Sequence, residues 1–255
     1  MIKFFRKIRQ KLLSENKFSK YLIYAIGEII LVVIGILIAL SINNWNENKK
    51  AQLEDVKFLS NLRNEIQLDT TAIFYRTNHY AQINDELKQA LQFLNRPTEI
   101  SENERQIISM AIVNLPVLTS LNKNVEKNNI QLANGTLLNI NEQLSREYES
   151  YILTTKYYTD VTNKLGQSLQ LIATRDVHPY VDLDYVSPGE EKVYFNFEEL
   201  KSNRLLKNAI NKSIRYRGSY ILSMELLRER AIKLLNILNE ELKQREHNNA
   251  SYEKY

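Results

Sequence analysis

The longest unbroken pattern in the chain is apolar on every side. Residues Tyr21–Ile42 read YLIYAIGEIILVVIGILIALSI, with 14 Leu, Ile or Val among 22 residues and a single charge, Glu28. At about 1.5 Å rise per residue such a helix spans roughly 33 Å, against about 30 Å for the hydrocarbon core of a bilayer. On an insertion scale each of these apolar residues contributes about −0.3 to −0.6 kcal/mol, which together outweigh the roughly +3 kcal/mol of one acid. The run is expected to be a transmembrane helix.

Beyond it the period changes. Positions 59, 66, 73, 80, 87 and 94 are Leu, Ile, Ile, Tyr, Leu and Leu, apolar at a strict seven-residue interval. A companion stripe reads Leu62, Asp69, Arg76, Ile83 and Ala90. Sustained seven-residue spacing predicts a long bundle or coiled-coil helix, with Asp69 and Arg76 either pairing or forming a solvated layer. No Pro or Gly separates Trp45 from Leu94, so the membrane helix and this one are candidates for continuity.

Arg96-Pro97-Thr98 ends the pattern. Ser101-x-x-Glu104 is a capping-box signal for a shorter helix to about Asn114, broken by Pro116. Residues 120–133 read as helical, with a stop at Asn134-Gly135. Asn139-x-x-Glu142 opens a long helix to about Arg175, with Leu144, Tyr148, Tyr151, Ile152, Leu165, Leu169 and Ile172 as its core. Residues 176–197 carry two Pro, one Gly and alternating apolar positions, which predicts an irregular loop or small hairpin. A final helix is expected from Glu198 to Arg245, built on Leu206, Ile210, Ile214, Ile221, Leu227, Leu234 and Leu238, with Arg217-Gly218-Ser219 as a kink candidate.

These elements predict an all-α fold: one N-terminal transmembrane helix followed by a long-helix up-and-down bundle with a short irregular or β-hairpin-like insertion. The expected divisions are a basic amphipathic arm (1–20), the membrane helix (21–42), an extracytoplasmic bundle (43–245, with 176–197 irregular) and a polar tail (246–255).

Charge sharpens the topology. Lys3, Arg6, Lys7, Arg9, Lys11, Lys17 and Lys20 precede the apolar run with one acid, Glu15, so the arm carries +6. From Asn43 onward 27 Lys/Arg meet 28 Asp/Glu, or −1, which argues against a nucleic-acid surface. Only Lys49, Lys50 and Lys57 follow closely after the run. The positive-inside rule therefore places the N-terminus in the cytoplasm and the body across the membrane. Tyr21, Tyr24 and Trp45 supply interfacial aromatics at the two ends. The apolar region exceeds the 7–15 residues of a cleaved signal, which favours an uncleaved anchor.

Glu28, Gly35 and Ala39 fall on one face of the membrane helix, and Gly35 and Ala39 make a small-xxx-small step. Two readings stay open: Glu28 faces a partner helix across that groove, or it snorkels back to the cytoplasmic headgroups.

The stretch FFRKIRQKLLSENKFSKYLIYAIGEIILVVIGILIALSINNWNE, from Phe4 to Glu47, resembles the N-terminal signature of a domain-of-unknown-function family of single-pass membrane proteins of the Bacteroidota. Its densest parts are the arm, YAIGEI, VVIGILIAL and INNWNE, and Ser41 stands where that signature has Gln. The resemblance implies a Gram-negative inner membrane and a periplasmic helical body. It implies no activity and no functional residues.

Chemistry is sparse. There is no Cys, and His79, His178 and His247 lie far apart. Phosphate-binding, dinucleotide-binding, zinc-protease and serine-hydrolase motifs are missing from the sequence. Asp176, His178, Asp182 and Asp184 crowd one stretch, but their spacing matches no established cation site, and no metal, cofactor or catalytic residue is assigned. Asp176, His178, Tyr180, Asp182, Asp184 and Tyr185 are the candidate recognition loop. The expected partners are the lipid bilayer and either a second copy or another membrane protein, with no nucleic acid. The expected role is a non-enzymatic membrane-anchored periplasmic protein that works by association, the alternative being a ligand-sensing bundle that signals through a membrane partner.

Overall fold

A computed structural model describes residues 18–121, 141–185 and 191–252. The chain divides into an N-terminal unit, Met1–Asp55, and a body, Val56–Tyr255. Helix α1, Phe18–Asn95, begins in the first and ends in the second, helical throughout including Asn43–Asn48. Among the described residues this is the one helix long and apolar enough to cross a membrane. Its most apolar 18-residue window has a mean hydropathy of 2.8, and none of that window is buried.

The body is a four-legged bundle. The first leg is the C-terminal part of α1, whose seven-residue stripe Leu59, Ile66, Ile73, Tyr80, Leu87 and Leu94 is at most 2% exposed at every position. Each such side chain contributes about 1.5–3 kcal/mol when withdrawn from water. The helix stops at Asn95 because Pro97 disfavours helical geometry at Arg96.

Helix α2, Glu102–Asn114, opens on the capping box the sequence predicted. The Ser101 Oγ accepts from the Glu104 N–H, and the Glu104 carboxylate accepts from the Ser101 N–H at 2.8 Å. Arg96 donates to the same carboxylate at 2.7 Å, and Asn114 donates to Glu86. These contacts set α2 antiparallel to α1. Past Asn114 the chain turns at Leu115–Pro116 and runs on as a non-helical strap through Leu121.

Helix α3, Glu142–Asp176, is the third leg, capped by Asn141. The expected helix over 120–133, the Asn134-Gly135 stop and Asn139 lie outside the described residues, except Ser120 and Leu121, which are not helical. Six of the seven core positions expected on α3 are buried, and Leu165 is partly so. A 3-10 turn, His178–Tyr180, leads into a two-stranded antiparallel hairpin, β1 (Asp182–Tyr185) and β2 (Glu191–Tyr194), with Asp182 opposite Tyr194 and Tyr185 opposite Glu191.

The fourth leg departs from expectation. A single helix from Glu198 was expected; the chain forms α4, Phe197–Ser202, and then α5, Arg204–Tyr252. Asn203 lies in extended backbone between them (φ −77°, ψ 102°), and its side chain accepts from the Leu205 and Leu206 N–H groups to start the helix again. That break lets Leu200 and Leu206 both be fully buried. Helix α5 passes through Gly218 without interruption. Tyr220 stacks edge-on against Tyr80, and Arg228 lies over Phe74, so α5 descends along the ascending α1. The fold is all-α with one small hairpin.

Candidate functional site

The most heavily braced part of the body is the strap 115–121, because a non-helical segment inside a bundle leaves backbone carbonyls without helical partners. Arg217 supplies several of them. It is 0% exposed. Its guanidinium donates to the carbonyl of Val117 at 2.8 Å and to those of Asn114 and Leu115, and also to the Ser213 Oγ. Ser213 in turn donates to the Leu115 carbonyl at 2.9 Å. On the α1 side, Arg76 donates to the carbonyls of Thr119 and Ser120, and the Tyr80 hydroxyl accepts from the Thr119 N–H at 2.9 Å. On the α3 side the packing is closer still. A Cβ on Gly166 would lie 2.4 Å from the Leu118 carbonyl oxygen.

The electrostatics follow from burial. Losing its water pulls Arg217 down to about 10, offset in part by the fields of Tyr80 and Glu86. Burial likewise pushes Tyr220 up to about 12 and Tyr148 up to about 12. An arginine at that pKa stays charged at neutral pH, and its charge sits at the negative C-terminal end of α2, where a cation is favoured.

Cavities lie on both sides of the strap. One, of about 440 Å³, is lined by Ile112, Val113, Asn114, Pro116, Val117, His178, Leu183 and Asp184. The other, of about 570 Å³, is lined by Arg76, Leu118, Thr119, Ser120, Asn163, Gly166 and Gln167. Volumes of this order suit small molecules.

The residues singled out from sequence are distributed unevenly around these features. His178 and Asp184 meet at the first cavity. Asp176 is buried at the end of α3, where Arg175 grips it through two hydrogen bonds of 2.6 and 2.7 Å and holds its carboxyl below the usual range. Tyr180 packs partly buried against the core, Asp182 is exposed, and the Tyr185 side chain lies outside the described residues. Asp69 accepts from the Tyr151 hydroxyl at 2.7 Å, so it and Arg76 are built into the bundle rather than left in a solvated layer. Among the described residues no three His, Asp or Glu come together as a metal site.

In the N-terminal unit, Gly35 and Ala39 are exposed, with open space over Gly35, and Glu28 is partly covered. Trp45 is exposed, with the Lys49 ammonium 5.6 Å from its ring centroid. Lys3, Arg6, Lys7, Arg9, Lys11 and Lys17 lie outside the described residues, as do the side chains of Lys20, Tyr21 and Tyr24.

A family model described as "Family of unknown function (DUF6090)" matches residues 28–174. The chain belongs to this family. In this DUF6090 protein the match takes in α1 from Glu28, α2, the strap and nearly all of α3. Arg76, Tyr80 and Gly166 therefore lie inside the matched region, while Ser213, Arg217 and the hairpin lie beyond it. No curated protein and no solved structure matches the chain significantly.

Sequence reasoning missed Arg217 and Ser213. The signal was available: 206, 213, 220, 227, 234 and 241, with 210, 217, 224, 231 and 238, continue the seven-residue spacing on α5, and all are buried. A charged residue at such a position is under pressure to find internal acceptors.

Proposed function

We propose that this DUF6090 chain is a membrane-anchored, non-enzymatic helical protein of a Gram-negative inner membrane, whose body stands in the periplasm and acts through protein–protein contact or self-association. The observation that carries the reading is the apolar window of α1, wholly unburied at a mean hydropathy of 2.8. Water is a poor solvent for such a helix, and a bilayer a good one. Orientation is supported by seven Lys/Arg before the window against three soon after it, and the compartment by the resemblance of Phe4–Glu47 to a Bacteroidota membrane family. The test is a pair of measurements on the full chain. It should stay in the membrane through alkaline carbonate washing, and a reporter fused after Tyr255 should be active only outside the cytoplasm. Release by carbonate removes the anchor, and a reporter active only in the cytoplasm reverses the topology.

A second reading, ligand sensing through a membrane partner, is favoured by one observation: the 440 Å³ cavity where His178 and Asp184 meet an apolar wall. Narrowing it with Val113→Phe separates the two. Partner recovery from native membranes that becomes insensitive to added periplasmic extract supports sensing, and unchanged recovery supports contact alone.

A further inference from the structure

The hairpin does not close fully over the end of α2. Its β2 side is held near the start of that helix, where Arg105 donates to the Phe195 carbonyl at 3.4 Å and its guanidinium lies 5.0 Å from the Phe195 ring centroid. Strand β1 reaches the other end, and a slot of about 440 Å³ remains between it and the chain from Ile112 to Val117. Register decides which side chains face the slot. Leu183 pairs with Val193, which packs against the core, so Leu183 is on the inner face of the hairpin. Asp184 alternates to the outer face, opposite Lys192, and borders the slot chiefly with its backbone. Leu183 is nonetheless 47% exposed, and Val117 on the strap is 36% exposed. Two apolar side chains at the slot thus stay in contact with water.

The apolar walls are Ile112, Val113, Pro116, Val117 and Leu183. Free polar groups are few. The Asn114 amide nitrogen donates to Glu86, and the Asn114 carbonyl accepts from the Val117 N–H and from Arg217. That leaves the half-buried His178 imidazole, whose ring has no hydrogen-bond partner among the described residues. A dry apolar cavity of about 150 Å³ holds a benzene. The slot, at about 440 Å³, therefore has room for a substituted ring. Among the described residues no charged side chain is directed into it, so a charged molecule would give up water there without gaining a partner.

We propose that this slot binds a small, neutral, mainly apolar molecule with one hydrogen-bonding group, of the chemical class of a ring alcohol, and that the group sits on His178. The inference rests on the ligand-sensing reading above and names its ligand class. Burial against five apolar side chains supplies the affinity. The imidazole, which donates from one nitrogen and accepts at the other, sets the orientation. A bound molecule covers Leu183 and Val117 together, and so ties the hairpin to the strap that Arg76 and Arg217 brace.

The probe is 4-fluorophenol, followed by its fluorine resonance on the full chain in nanodiscs, with 4-fluorobenzoate and 4-fluorobenzylamine as charged counterparts. The phenol should shift saturably, and both charged compounds should bind at least tenfold more weakly. Val113→Phe narrows the slot from α2, and Leu183→Trp fills it from an exposed position. Each should keep its thermal midpoint and weaken the phenol at least tenfold, which removes partitioning into lipid as the cause. His178→Ala should cost about fivefold, the size of one hydrogen bond. The proposal is overturned by the lack of a saturable shift, by binding unchanged in both slot variants, or by tighter binding of either charged compound. The sensing reading fails separately. If the phenol binds as expected and partner recovery from native membranes does not change with it, the slot is a binding site without a signalling role.

Discussion

The N-terminus of α2 is closed by residues three positions apart, whereas the chain leaving its C-terminus is held chiefly by residues about a hundred positions away. Ser101 and Glu104 satisfy each other's backbone N–H groups within a single turn. At the other end, the Asn114 carbonyl has one local donor, the Val117 N–H, but the Leu115 and Val117 carbonyls take theirs from Ser213 and Arg217 of α5, 98 to 102 residues downstream. The first closure forms as soon as the turn forms. The second exists only when α5 has packed, so it reports on the assembled bundle. The difference teaches that a short helix can borrow its end from tertiary structure, and that the borrowed end is the more expensive one to lose.

The largest effect should come from breaking the distant closure. Arg217→Ala strips the Val117 carbonyl of its donors, weakens the closures at Asn114 and Leu115 and opens a cavity, which should cost about 2–5 kcal/mol. Chemical unfolding of the purified protein followed by circular dichroism measures it; a loss under 1 kcal/mol would mean that water replaces the guanidinium without penalty. Gly166→Ala presses a methyl against the Leu118 carbonyl and should cost about 1–3 kcal/mol, since strap or helix must shift. The local closure is worth less: Ser101→Ala should cost about 1 kcal/mol. A larger loss at Ser101 than at Arg217 would invert the comparison.

The smallest effect is one of pH. The Ser101 backbone and Arg96 hold the Glu104 carboxyl below its ordinary 4.5. A carboxyl depressed in the folded state contributes stability that is fully present above its unfolded value and lost as pH falls through the folded value. Stability should therefore decline as acid is added below about pH 4.5, and Glu104→Gln should flatten that limb. An acid limb unchanged in Glu104→Gln would assign the decline to other carboxylates.

The same division between local and distant explains what could be read from the sequence. The stripe from Leu59 to Leu94 was legible because helix geometry turns spacing directly into a face. The Ser101-x-x-Glu104 box was legible because both partners lie within one turn. The hairpin was legible from alternation around two prolines and a glycine. The second helix start at Asn203 was a local signal too, yet it was masked by helix-favouring neighbours on both sides. The strap was not legible. Its carbonyls are satisfied by Arg76 and Arg217, and nothing near Leu115 announces either. His178 and Asp184 were placed together by sequence proximity and both line one cavity, while Asp176, two residues from His178, is buried and paired with the exposed Arg175 instead. Proximity along an irregular stretch does not determine which side chains share a surface.

The seven-residue spacing of the three long helices also constrains how such a body can change over time. One residue inserted into α5 between Leu206 and Leu238 rotates everything after it by about 100°, turning leucines outward. A whole block of seven restores the facing, but it slides the helix by about 10 Å against its neighbours unless they lengthen as well. The body's length is thus effectively quantised: it can grow or shrink only in matched steps, three helices at a time. The strap, which has no period to keep, is where odd-sized changes can accumulate.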